Sequence, residues 1–130
     1  MRLAVGEHID RPVDSGQYWN TMQIEMQAGE TYEFTVNGKQ YWNDAKNICQ
    51  ANGYNKWYFL PAKLITRKMD APLFCLIGSI DKGNLFAIGL AKQYPCKKSG
   101  SLYCFANDVA LEFFYKNNSG VVWLTIKRLT

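Results

Sequence analysis

The chain reads as an all-β protein built as a two-layer sandwich, with at most one short helix, over a single domain spanning residues 1–130. Three observations carry that reading. Turn signals such as Gly16, Gly29, Asn37-Gly38, Asp81-Lys82-Gly83 and Asn117-Asn118-Ser119-Gly120 recur every eight to twelve or so residues, the rhythm of short strands in a sandwich or barrel. Thr31 to Val36 places Tyr32, Phe34 and Val36 on one face and Thr31, Glu33 and Thr35 on the other, the period of two that a half-buried strand requires. Leu73 to Ile80 is a continuous apolar run, as expected of a strand covered on both faces.

The remaining elements follow in chain order. In Gln17 to Met26, the residues Tyr18, Met22, Ile24 and Met26 share one phase. Asn37-Gly38 fits a tight turn or a left-handed exit from the preceding strand. Asn43 to Asn52 is the one helical candidate: Asn43 or Asp44 caps it, Ala45, Ile48 and Cys49 share a face, and Gly53 ends it. A structured loop is an equal alternative there. Leu85 to Leu90, Ser101 to Ala106, Glu112 to Tyr115 and Val121 to Leu129 complete the strand set. In the last, Val122, Leu124 and Ile126 alternate with Val121, Trp123 and Thr125.

Composition excludes several classes. The chain is 48% hydrophobic and 20% charged, which places it among packed rather than disordered chains. The net charge of +4 is spread over scattered residues such as Lys56, Lys63, Arg67, Lys92 and Lys127, without the dense basic patch of a nucleic-acid surface. No apolar run reaches the length of a membrane span. Met1 to Asp10 lacks an apolar signal core, which leaves the location open between the cytoplasm, export by a leaderless route, and a mature domain with a new start Met. The four cysteines, Cys49, Cys75, Cys96 and Cys104, have no metal-site spacing; Cys96 and Cys104 flank a turn and are the pair that an oxidising compartment would join.

No nucleophile elbow, zinc motif or phosphate loop is present, and a role as a non-enzyme is expected. The lone His8 and the scattered carboxylates Asp44, Asp70, Asp81, Asp108 and Glu112 show no catalytic spacing. The densest polar cluster is Asn107-Asp108 followed by Asn117-Asn118-Ser119-Gly120. If the strands before and after it are neighbours, carboxylate and amide oxygens converge at one end of the sandwich. A hard cation such as calcium takes such a set of oxygens. The same residues also serve as ordinary turn formers. Tyr41-Trp42 and Trp57-Tyr58, with Trp19, Tyr94 and Tyr103, supply rings that stack on sugars or fill protein interfaces.

Gly100 to Asp108, Asn117-Asn118-Ser119-Gly120 and the strand Val122 to Ile126 resemble the PA-IL-like bacterial galactose-binding lectins, specifically over residues 100–126. Ala28-Gly29-Glu30 and Leu73 to Gly78 are similar to upstream pieces of that family. The resemblance implies a jelly-roll sandwich of galactose-binding-domain-like type. It implies calcium held by the side chains of Asp108, Asn117 and Asn118, with main-chain carbonyls from Phe114 and from Tyr41 or Trp42. A carbohydrate of galactose type would sit on that ion, touched by Asp108, Asn117, Asn118, Tyr41 and Asp70. The loop from Asp108 to Asn117 is longer than the family pattern and carries Leu111, Glu112, Phe113 and Phe114. The family's sugar-contacting His and Gln have no counterpart, and Arg67, Lys68 and Asp70 stand in that region. The competing expectation is a protein-binding domain on the same scaffold, such as an inhibitor, an immunity protein or a toxin-associated targeting module. A homo-oligomer is expected for a lectin of this kind, because single sugar sites are weak.

Overall fold

A computed structural model describes residues 1–54 and 66–130; Lys56, Trp57, Tyr58, Pro61 and Lys63 lie outside the described residues. Twelve strands are defined among the described residues: β1 (His8–Asp14), β2 (Asn20–Met26), β3 (Thr31–Val36), β4 (Trp42–Asp44), β5 (Asn47–Cys49), β6 (Asn52–Tyr54), β7 (Leu73–Ile80), β8 (Gly83–Ala87), β9 (Ala91–Pro95), β10 (Gly100–Ala106), β11 (Asn118–Ser119) and β12 (Val121–Arg128). One four-stranded sheet runs β1-β12-β3-β9 and a second runs β2-β10-β7-β6, with β8 also on β7. A small third sheet, β11-β4-β5, joins them at one end. All pairings are antiparallel.

The inward phases are those the alternation dictates. Tyr32, Phe34 and Val36 of β3 and Val122, Leu124 and Ile126 of β12 meet Met22, Ile24 and Met26 of β2 and Leu102 and Cys104 of β10 in the main core. Val121 and Trp123, in the opposite phase of β12, are exposed. The whole of β7 is buried. Its Leu76 and Ile80 enter the main core, while Cys75 and Ile77 enter a second cluster with Ala71 and Phe105, backed by Trp19. An unbroken apolar strand is the consequence of that two-sided cover.

Three segments depart from the sequence reading. Asn43 to Asn52 is not a helix: β4 and β5 form a hairpin with Trp42 opposite Cys49, and Ala45 turns it at φ 54°. A left-handed residue interrupts helical hydrogen bonding, and β11, distant in the chain, pairs with β4 as well. Glu112 to Tyr115 is not a strand but part of a 3-10 helix over Glu112–Asn117. Only Tyr115 of this segment turns inward, so the alternation a half-buried strand requires is absent. The N-terminal segment around His8, absent from the strand set read from the sequence, is an edge strand on β12 running from His8↔Lys127 to Asp14↔Val121.

The termini are clamped together. Glu30 accepts from Arg2 at 2.7 and 2.8 Å and from the Tyr32 hydroxyl at 2.5 Å, and it also pairs with Arg128. The Arg2 bond and the neighbouring cations hold its carboxyl at about 2, against the burial that opposes ionisation. All four cysteines are free thiols and buried. Cys96 and Cys104 are not joined: both belong to the main core, and the Cys96 sulfur turns to the Lys98 carbonyl at 3.2 Å.

Candidate functional site

Asp108 and Asn118 come together at the end of the sandwich where the small sheet sits. They do so by a different route from the one the sequence suggests. β10 and β12 are not neighbours; they lie in opposite sheets. The convergence comes from β11, which leaves the 3-10 helix and pairs with β4 so that Asn118 faces Asp44 and Ser119 faces Asn43. The Asn118 amide then donates to Asp108 Oδ2 at 2.9 Å and to the Ser15 carbonyl at 3.1 Å.

The Asp108 carboxylate is 7% exposed. Its other oxygen accepts from the Val109 N–H at 2.7 Å. Burial raises its pKa, the two hydrogen bonds lower it, and the nearby Asp44 carboxylate raises it further. Asp44 in turn accepts from the Tyr54 hydroxyl. Buried Asp108 thus has half-buried Asp44 near it, and among the described residues no cationic side chain bonds either carboxylate, an arrangement that costs free energy. The Asn118 Oδ1 atom is buried there without a hydrogen-bond partner. Buried acceptors are satisfied in almost every folded protein, so the orphaned amide oxygen near the Asp108 carboxylate is the anomaly of this site. The donor set is all oxygen, which suits calcium rather than zinc. Among the described residues, no group of three or more His, Cys, Asp or Glu is placed to hold a metal. A metal here would need amide and main-chain oxygens to complete its shell.

The other expected residues distribute as follows. Asn117 is exposed at the end of the 3-10 helix, and its carbonyl accepts from Ala45 N–H at 3.2 Å. Phe114 sits on the outer side of that helix and is exposed. Trp42 is fully buried, edge-on to Phe74 at 5.5 Å, and its backbone lies against Gly120, where a side-chain Cβ would come within 2.8 Å of the Trp42 Cα. Only glycine allows that approach at φ 97°. Tyr41 is exposed beside Gln50, and Asp70 pairs at the surface with Lys68 at 2.6 Å. Asn107, by contrast, is fully buried and entirely used as a brace. Its side chain accepts from Lys68 N–H at 3.0 Å and donates to the Lys68, Ala71 and Pro72 carbonyls. Its own carbonyl takes the N–H of Phe74, a residue held at φ 61°. A bulky residue in that conformation is strained by about 1–3 kcal/mol, and Asn107 helps hold it.

Two features had no signature in the residue spacing. One is Asp44, which reaches Asn118 only through the β4–β11 pairing. The other is Arg67. Its guanidinium lies over the rings of Phe105 at 3.3 Å, Tyr18 at 3.7 Å and Trp19 at 4.3 Å. Its Nη1 donates to the Tyr18 carbonyl and to the Tyr115 hydroxyl at 3.1 Å, and its backbone N–H donates to the Asp108 carbonyl at 3.0 Å. A planar cation stacked on several rings is a strong fastener. Here it ties the Tyr18 loop to the 3-10 helix and both to Asp108.

No family model and no curated protein matches this chain. Among solved structures it is similar to one described as "EclA N-terminal domain; PllA-like lectin". The TM-score is 0.68, with 14% sequence identity over 92% of this chain and 94% of that one. The chain therefore has the sandwich fold of a PllA-like lectin, in agreement with the PA-IL-like resemblance of residues 100–126.

Proposed function

We propose that this protein is a calcium-dependent carbohydrate-binding, lectin-like domain whose site is the cluster of Asp108, Asn118 and Asp44. The observation that carries the reading is the buried, unpartnered Asn118 Oδ1 beside the Asp108 and Asp44 carboxylates. Asp108, Asn117 and Asn118 would supply side-chain oxygens, Asp44 a second carboxylate, and Phe114 and Trp42 main-chain carbonyls. Bound calcium would offer its open positions to vicinal hydroxyls of a sugar. The chain's own groups prepare for this: Asn107 and Arg67 fix the Asp108 backbone, and the β4–β11 pairing sets Asn118. Exposed Tyr41 is available for a sugar face. The fold it shares with a structure described as a PllA-like lectin supports the same reading. A galactose-type ligand and a homo-oligomeric assembly are part of the proposal.

A glycan array with calcium and with EDTA, run on wild type and on Asp108→Asn, tests it. Binding that appears only with calcium and only in wild type is expected. Glycan binding indifferent to EDTA, or a blank array in calcium, overturns it.

A second reading is favoured by one observation: Leu111, Phe113 and Phe114 form an exposed apolar ridge. On that reading the scaffold docks a protein. A blank array together with loss of a specific captured partner in Phe113→Ser would select it.

A further inference from the structure

A hollow in the surface lies beside the Asp108 cluster, not within it. It has a volume of about 650 Å³, within the range of small-molecule sites. One wall is Gly16 to Trp19, and the other is Glu112, Phe113 and Lys116 from the 3-10 helix. The walls are continuous with the cluster. The Ser15 carbonyl binds the Asn118 amide, and the next residue begins the first wall. Gly16 lies against the main chain at Asn118, where a Cβ would meet the Asn118 carbonyl oxygen at 3.3 Å and the Tyr115 carbonyl oxygen at 3.8 Å. Arg67 sets the spacing of the walls, since its Nη1 bonds both the Tyr18 carbonyl and the Tyr115 hydroxyl.

The chemistry of the hollow is that of a sugar subsite. Tyr18, Trp19 and Phe113 present ring surface, and Phe113 is 69% exposed, an apolar face left in water. Gln17, Glu112 and Lys116 add an amide, a carboxylate and an ammonium group, which can donate to and accept from hydroxyls. Lys116 lies 5.4 Å from the Phe113 ring centre. The two opposite charges leave the hollow close to neutral, so it does not select for an acidic or basic peptide. Ring faces with a few polar groups at their edges suit the C–H face and the hydroxyl rim of a pyranose. Of the long stretch between Asp108 and Asn117, Glu112, Phe113 and Lys116 supply the second wall.

We propose that this hollow is a second sugar subsite, taking the residue next to the one held at Asp108 and Asn118, so that the protein selects oligosaccharides over monosaccharides. The inference rests on the calcium-dependent lectin reading. Phe113→Ala is the main variant, because the side chain is exposed and its loss leaves the core intact; Gln17→Ala is the second. Calorimetry with methyl β-galactoside and with lactose, in calcium, is the test. Wild type is expected to bind lactose more tightly than the methyl glycoside. Each variant should weaken lactose about three- to tenfold, the scale of a lost ring contact, and leave the methyl glycoside unchanged. Equal affinity of wild type for the two sugars overturns the inference while leaving the lectin reading intact. So does a variant that weakens neither sugar, or both equally. Absence of calcium-dependent heat from wild type with either sugar overturns the lectin reading and the subsite with it.

Discussion

Asp108→Asn is the substitution on which the metal-site reasoning turns. The wild-type carboxylate is almost fully buried, raised in pKa by that burial, and opposed by Asp44. Without metal, ionised Asp108 therefore lowers stability at neutral pH, and that cost is relieved as pH falls through its raised folded pKa. An amide of the same shape has a single acceptor oxygen, so it keeps the bond from the Val109 N–H and gives up the one from the Asn118 amide, about 1 kcal/mol net, a smaller loss than the cost of the buried charge it removes. In EDTA at pH 7 the variant should melt at or above the wild-type temperature. In calcium the order should invert. A site with two carboxylates and several neutral oxygens belongs with weak calcium sites, with Kd on the order of 10⁻⁴ to 10⁻³ M. At 10 mM calcium, roughly ten to a hundred times Kd, binding to the folded state alone stabilises by about 1.4–2.7 kcal/mol. A chain of this length unfolds with an entropy near 0.27 kcal/mol/K, so wild type should gain roughly 5–10 °C. The variant should gain less than about 1 °C, since it loses the charged ligand. Differential scanning fluorimetry with magnesium as the control cation reads all of this. A wild-type melting temperature unmoved by calcium refutes the reasoning, and so does a variant that melts lower in EDTA and keeps the wild-type calcium shift.

Asn107→Ala should lower the melting temperature by about 10 °C with or without calcium, because it orphans several buried main-chain groups at about 1–3 kcal/mol each with partial relaxation; a calcium-dependent loss would make Asn107 a ligand instead. Glu30 has a folded pKa of about 2 against an ordinary 4.5, so its contribution is whole above pH 4.5 and is lost as pH falls towards 2. Glu30→Gln should therefore be less stable than wild type at pH 7 and converge with it near pH 2 in acid-unfolding curves. The four thiols should resist iodoacetamide in the folded protein and all react in guanidinium, as read by intact mass. Burial pushes Cys75 to about 11 and Cys49 to about 12, and only the thiolate alkylates readily.

Residue pattern alone determined the parts of this protein that depend on short-range physics. The alternation of Thr31 to Val36 and of Val121 to Arg128 sets which side chains face inward, because successive residues of a strand must point to opposite faces. The unbroken run of β7 required cover on both sides, and it has it. The polar pairs Asn107-Asp108 and Asn117-Asn118 were visible as an anomaly between apolar strands. What they become was decided by tertiary structure. Asn107 and Asp108 are adjacent and chemically alike, yet one is a saturated brace and the other a buried carboxylate facing a second one. Their difference lies in which distant groups surround each, the Lys68–Pro72 turn for one and Asn118 and Asp44 for the other. The same holds for Glu112 to Tyr115, whose composition suits a strand but which coils into a 3-10 helix with Tyr115 as its one buried residue. Asp44 joins the site only because β4 pairs with β11 across more than seventy residues of chain. Local sequence sets the period of each segment, but pairing and burial are non-local free energies, and they alone bring buried Asp108 and Asn118 together with Asp44 opposite Asn118 in the strand pairing.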